Sequence, residues 1–189
     1  FFNRLHYEQL GLQIPTTWSQ FLANCRVIKE KLKDRGIAPL AVDKDSYSEF
    51  WSQFLLNRTL GEEVVQRSVE GTGPRLDTDP RYRAVFQAIR DSHQDGFFMH
   101  SWRSSKWPDA QRAWTQGKAT HMISGSCLIR ETLTYEPDLA VFRLGAFPVP
   151  MLDAIDWGDM EPVPLGDPTG VTATIVRSSP WLPPTPRRP

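Results

Sequence analysis

Phe2-Asn3-Arg4-Leu5, Gly11-Leu12, Ile14-Pro15-Thr16-Thr17-Trp18 and Gly36-Ile37-Ala38-Pro39-Leu40 are the pieces whose reading decides the fold. In order they read as a strand end, a short helix, a capped amphipathic helix and a buried strand. Thr17 is a good N-cap, and Gln20 three residues later completes a capping box. Trp18, Phe21, Leu22, Cys25, Ile28 and Leu32 then recur at helical spacing. Lys29, Lys31, Lys33 and Arg35 load the outer face and the last turns, where the helix dipole favours cations. Gly36 suits the left-handed closing position. Ile37 to Val42 is a short apolar run of the kind found in buried parallel strands.

The next segment repeats this logic. Ser46 caps, Glu49 supplies the return bond, and Tyr47, Phe50, Trp51, Phe54 and Leu55 form one stripe that Gly61 closes. Residues 62–78 lack periodicity and hold Gly71, Gly73 and Pro74, so the spacing predicts irregular chain there. Asp79-Pro80 opens a helix with Tyr82, Phe86, Ile89 and His93 on one face, ended by Gly96. A loop with two tryptophans, Trp102 and Trp107, leads to a short helix over 109–116. A strand over 120–124, a turn at Gly125, a helix over 126–133 and a strand over 142–147 follow. Strands alternating with helices imply an α/β domain, a mainly parallel sheet flanked by helices.

Composition narrows the function classes. Lysine plus arginine (22) equals aspartate plus glutamate (22), so bulk charge offers nothing to nucleic acid or an anionic membrane. No apolar run reaches the roughly 20 residues of a membrane helix. The start at Phe1, with neither methionine nor signal segment, reads as a fragment or a processed start. Two cysteines are too few for a disulfide framework, and Cys25 reads as a small buried hydrophobe. No zinc spacing, P-loop, dinucleotide fingerprint or G-x-S-x-G occurs, and no cofactor is implied.

Several pieces resemble the second lobe of bacterial extracellular solute-binding proteins (family 1, sugar-type), the receptors of ABC importers. That family carries Tyr-Tyr-Asn, Ala-Gly-Leu and Pro-x-Thr-Trp in order; this chain has Phe1-Phe2-Asn3, Leu10-Gly11-Leu12 and Pro15-Thr16-Thr17-Trp18. Gly36 to Pro39 is similar to its Gly-Ile-x-Pro. Trp114, Gly117-Lys118-Ala119-Thr120-His121-Met122 and Gly125-Ser126-Cys127 resemble its aromatic, Gly-Lys-Ala-Ala-Met and Gly-small-Trp run. Gly145 to Pro150 resembles its Gly-x-x-Pro-x-Pro strand end. The resemblance implies one lobe of a periplasmic-binding-protein-like (type II) fold over 1–150. It also implies a partial return segment over 151–177 toward a first lobe this chain lacks. Residues 178–189 are Pro-rich and read as a disordered tail.

The same resemblance implies a function: binding a carbohydrate outside the cell and delivery to permease subunits, without enzymatic activity. Membrane contact would come only through the transporter or a lipid anchor, at a periplasmic or extracellular location. Departures are plain. After Gly166-Asp167-Pro168-Thr169-Gly170 the likeness stops, and Cys127 stands where many relatives carry a sugar-stacking tryptophan.

Open α/β sheets bind ligands beyond the carboxyl ends of their strands. That rule and the resemblance select the same two loops. Asp43, Asp45 and Ser46 offer polar groups to sugar hydroxyls, or simply a solvated capping loop. Tyr47 and Trp51 offer an aromatic plate, although their helical spacing with Phe50 and Phe54 suits the core equally. Gly125, Ser126 and Cys127 form the second loop, and Trp102 with Trp107 a second platform or packing. Two other classes compete: a small α/β enzyme using the Gly125–Cys127 turn with His121 as base, and a peptide-docking module. The latter would act through Pro183-Pro184-Thr185-Pro186-Arg187-Arg188, which fits a P-x-x-P-x-R ligand.

Overall fold

The computed structural model describes residues 1–45, 47–135 and 144–153, and their side chains except those of 47–49 and 135. The elements run β1 (Phe2–Asn3), α1 (Arg4–Leu10), α2 (Trp18–Leu32), a 3-10 turn (Lys33–Arg35), β2 (Ala38–Leu40), α3 (Tyr47–Leu60) and α4 (Glu62–Val69). They continue with α5 (Pro80–Gln94), α6 (Asp109–Thr115), β3 (Ala119–His121), α7 (Cys127–Tyr135) and β4 (Leu144–Gly145). The proline-rich tail, the capping role of Ser46 and Glu49, and the strand expected at 142–143 lie outside the described residues, as does the return segment beyond Asp153.

Helix α2 forms as its sequence dictates. The Thr17 side chain accepts from the Gln20 backbone N–H, and the Gln20 side chain accepts from Thr17 in return. Trp18, Phe21, Cys25, Ile28 and Leu32 are all buried. Gly36 closes the 3-10 turn at φ 69°, a left-handed conformation that costs other residues a Cβ clash. The chain then enters β2.

The α/β architecture with helices around one sheet is as expected; the strand directions are not. The sheet order is β2-β3-β1-β4. Strands β2 and β3 run parallel, but β1 is antiparallel to both β3 and β4. The sheet is therefore mixed rather than mainly parallel. Asn3 turns β1 directly into α1, with its side chain accepting from the Leu5 and His6 N–H groups. Phe98 bridges Leu40 in parallel and lengthens the parallel half.

Residues 62–69 form α4 rather than irregular chain. Glu62 and Glu63 occupy its first turn, where the dipole favours carboxylates, and Val64 and Val65 pack on the main core. In α5 the inner face is Tyr82, Val85, Ala88 and Ser92, whereas Phe86 is half exposed. The main core gathers Trp18, Phe21, Leu40, Trp51, Leu55, Tyr82 and Val85 between α2, α3, α5 and the sheet. A second cluster around Met99, Trp114 and Leu128 fills the other side.

Two details bound the domain. Gly145 leaves no room for a Cβ, which would overlap the ring of the buried Phe2. Beyond the expected boundary at 150, Met151 to Asp153 stay docked. Trp18 N–H donates to Met151 O (2.6 Å), Met151 N–H donates to Thr16 O (3.1 Å), and Leu152 is buried. Asp153 accepts from both the backbone N–H and the hydroxyl of Ser19 at 3.0 Å, covering an open donor in the first turn of α2.

Candidate functional site

Three parallel segments lie side by side at one edge of the sheet. Leu40 N–H donates to Phe97 O (2.9 Å), Met99 N–H donates to Leu40 O (3.0 Å), and Ala41 N–H donates to His121 O (2.8 Å). Their carboxyl ends release the loops at 43–45, 99–108 and 122–126 on the same side, where open α/β sheets place ligands. The first two loops are fastened together. Lys44 N–H donates to Ser105 O (3.3 Å), and Trp107 N–H donates to Asp45 Oδ1 (3.0 Å).

Within this rim the expected residues separate. Asp43 is fully buried, so Asp45 is the exposed carboxylate of its loop. Ser46 lies outside the described residues; Tyr47 opens α3, and its side chain lies outside them too. Trp51 is a core residue, which corrects its candidacy as a sugar plate. It is 6% exposed, edge-on to Trp18 with ring centroids 6.2 Å apart and tilted against Phe21 at 5.8 Å. It shares the main core with Leu55, Leu56 and Leu60 of the same helix. Gly125 is half-buried, and Ser126 and Cys127 are exposed at the start of α7. Leu128 N–H donates to Gly125 O (3.1 Å) and closes the turn.

The chemistry of the Cys127 and His121 pair is unfavourable for nucleophilic catalysis. His121 is buried with both ring nitrogens engaged. Nδ1 is 2.9 Å from Pro39 O, an acceptor, so Nδ1 carries the proton and donates. Nε2 therefore accepts from the Tyr7 hydroxyl at 2.7 Å. Burial, followed by smaller charge effects from the chain's amino terminus and His6, lowers the His121 pKa to about 3 despite the bond to Pro39. The Cys127 thiol is pushed up by partial burial and by Glu131, away from the thiolate a nucleophile needs. Among the described residues no group of histidine, cysteine and carboxylate side chains could hold a metal ion. Nor is any described helix long and apolar enough to cross a membrane.

The two tryptophans of the 99–108 loop have different fates. Trp102 is half-buried, edge-on to His93 at 5.0 Å and to Phe98 at 5.5 Å, with the Arg103 guanidinium 5.4 Å from its ring. It is a packing residue. Trp107 is 54% exposed on the rim. Its tie to Asp45 joins positions 62 residues apart, a link no local pattern reveals.

No known family profile and no curated protein matches this sequence. Solved structures do share its fold. A chitin oligosaccharide binding protein superposes with a TM-score of 0.66 at 22% identity, over 81% of this chain and 38% of its own. A sugar transporter from Bacillus licheniformis, in complex with stachyose, gives 0.61 at 18% identity over 81% and 39%. An ABC-transporter binding protein from Bifidobacterium animalis subsp. lactis, in complex with mannobiose, gives 0.57 at 20% over 80% and 37%. The α/β domain described here thus has the fold of part of the sugar-binding solute receptors of ABC transporters. It spans less than two-fifths of the length of each of these three receptors.

Proposed function

We propose that this chain is the second lobe of a carbohydrate-binding solute receptor, a binding protein and not an enzyme, that serves an ABC importer. The observation carrying the reading is the combination of a receptor-type fold with three loops gathered at the carboxyl edge of the parallel strands. In this reading residues 1–150 are the lobe, and 151–177 begin a return toward a first lobe. Permease subunits are the macromolecular partner, outside the cytoplasm. Asp45, Ser46 and Tyr47 from one loop and Gly125, Ser126 and Cys127 from another line one wall of the cleft. Asp43 supports that wall from beneath. Carboxylate, hydroxyl and free helix-terminal N–H groups suit sugar hydroxyls.

Two lobes of such receptors close about a hinge on their ligand. One wall covers less of a sugar than the ~70–90% that a small-molecule pocket encloses. This chain by itself is therefore expected to bind mono- and oligosaccharides with millimolar affinity. Isothermal calorimetry against galactose, mannobiose, diacetylchitobiose and stachyose checks this. Micromolar affinity for any of them would mean a complete site and would overturn the one-lobe reading.

A further inference from the structure

We propose that Trp107 is the stacking plate of this site, its indole taking the apolar face of a pyranose ring. The inference rests on the carbohydrate reading above and goes beyond it by assigning the aromatic surface, which the burial of Trp51 leaves without a described occupant.

Four observations carry it. Trp107 is 54% exposed, unusual for a side chain that normally buries most of its large surface. Of the large apolar side chains left exposed, only Trp107 and Phe86 are aromatic among the described residues, and Phe86 belongs to α5 rather than to any of the three loops. The Trp107 backbone is fixed rather than loose. Its N–H donates to Asp45 Oδ1 at 3.0 Å, and Asp109 Oδ2 accepts from the neighbouring Lys106 N–H at 3.1 Å. A plate held in advance costs little ordering on binding. Finally, polar groups of the kind sugar hydroxyls need adjoin the Trp107 backbone, with Lys106 next in sequence and the Asp45 carboxylate accepting from the Trp107 N–H.

The chemistry fits a sugar better than a peptide or protein patch. A pyranose offers one face of aliphatic C–H groups edged by hydroxyls, so it matches one flat apolar ring set in a polar rim. A protein partner generally needs a contiguous apolar area of several side chains. Here the stretch leading to the ring carries Ser101, Arg103, Ser104 and Lys106, and all four are exposed.

The test uses the full chain labelled with nitrogen-15, whose indole N–H signals are resolved by NMR. The Trp107 signal is assigned by its loss in Trp107→Phe. Galactose, mannobiose, diacetylchitobiose and stachyose are titrated to millimolar excess, with sorbitol as a polyol that has no ring face. The Trp107 indole should shift saturably with at least one sugar and not with sorbitol. Trp107→Ala should then weaken that sugar about three- to tenfold, the effect of one aromatic contact, and Trp107→Phe should keep part of the affinity. The exposed position should leave folding intact in both variants, which circular dichroism checks. Shifts at the Asp43 to Asp45 amides with an unmoved Trp107 indole, or unchanged affinity in Trp107→Ala, would overturn the plate and leave the carbohydrate reading standing. No shift anywhere with any of the four sugars would overturn both.

Discussion

Trp51→Ala is expected to destabilise the domain by about 3–5 kcal/mol, the range for removing a large aromatic from a packed core. Its indole is 6% exposed and meets Trp18 and Phe21 in the centre of the main cluster. The indole Nε1 has no hydrogen-bond partner among the described residues, so truncation loses packing without losing a bond. Typical domains have only about 5–15 kcal/mol in hand, and this single change removes a large part of it. Urea unfolding of the two proteins measures the difference. A variant as stable as the parent would return Trp51 to the ligand site.

Acid should unfold this domain earlier than its carboxylates alone would cause. Two histidines are buried near one another in the fold. His6 Nδ1 lies 2.9 Å from Thr120 Oγ1, and its Nε2 lies 3.4 Å from the Asn3 side-chain amide, a donor. Burial, with a smaller contribution from Arg35, lowers the His6 pKa to about 4; burial lowers that of His121 to about 3. Both folded values lie below the ordinary 6.5, so the folded state resists protonation while the unfolded chain accepts it. The stability these neutral rings contribute is complete above about pH 6.5 and is lost as the pH falls from there toward the folded values. Each unit costs about 1.4 kcal/mol per group, so the pair removes about 4 kcal/mol between pH 7 and pH 5. Urea midpoints across that range should fall accordingly, with both rings neutral by NMR in folded protein at pH 5. Equal midpoints at pH 7 and pH 5 would contradict the buried-neutral assignment.

What the sequence disclosed follows from the range of each interaction. Helix α2 was legible because the Thr17–Gln20 box, the apolar stripe and Gly36 are all local. The direction of β1 was not, since it depends on partners at 121, 144 and 145 rather than on residues near it. Helix α4 hides because it is only eight residues long and its apolar content is only Val64, Val65 and Val69, with Val69 76% exposed, so its amphipathic pattern is too short to stand out. The face of α5 was read one step round the helix: Phe86 looks like core by residue type, yet Val85 takes the buried place.

The site divides in the same way. The two loops were selected by the strand-end rule and by resemblance, and the parallel pairing of β2 with β3 does send both to one edge. Trp51 could not be settled from sequence, because a core stripe and a ligand plate use the same residue types on the same helix. Packing decides it. Trp107 was one of two tryptophans in a loop, with nothing local to separate it from Trp102. The separation comes from His93 and Phe98, which enclose Trp102, and from Asp45, which holds the Trp107 backbone at the rim.

The central claim is that the carboxyl-edge loops form one wall of a carbohydrate site, and mapping backbone amide shifts during a sugar titration tests it most directly. The account predicts that the amides moved by mannobiose, diacetylchitobiose or stachyose fall within Asp43 to Asp45, Ser105 to Trp107 and Gly125 to Cys127. Shifts gathered instead on the open groove of about 320 Å³ lined by Arg26, Lys29, Lys33 and Asp95, or spread evenly over the surface, would contradict it.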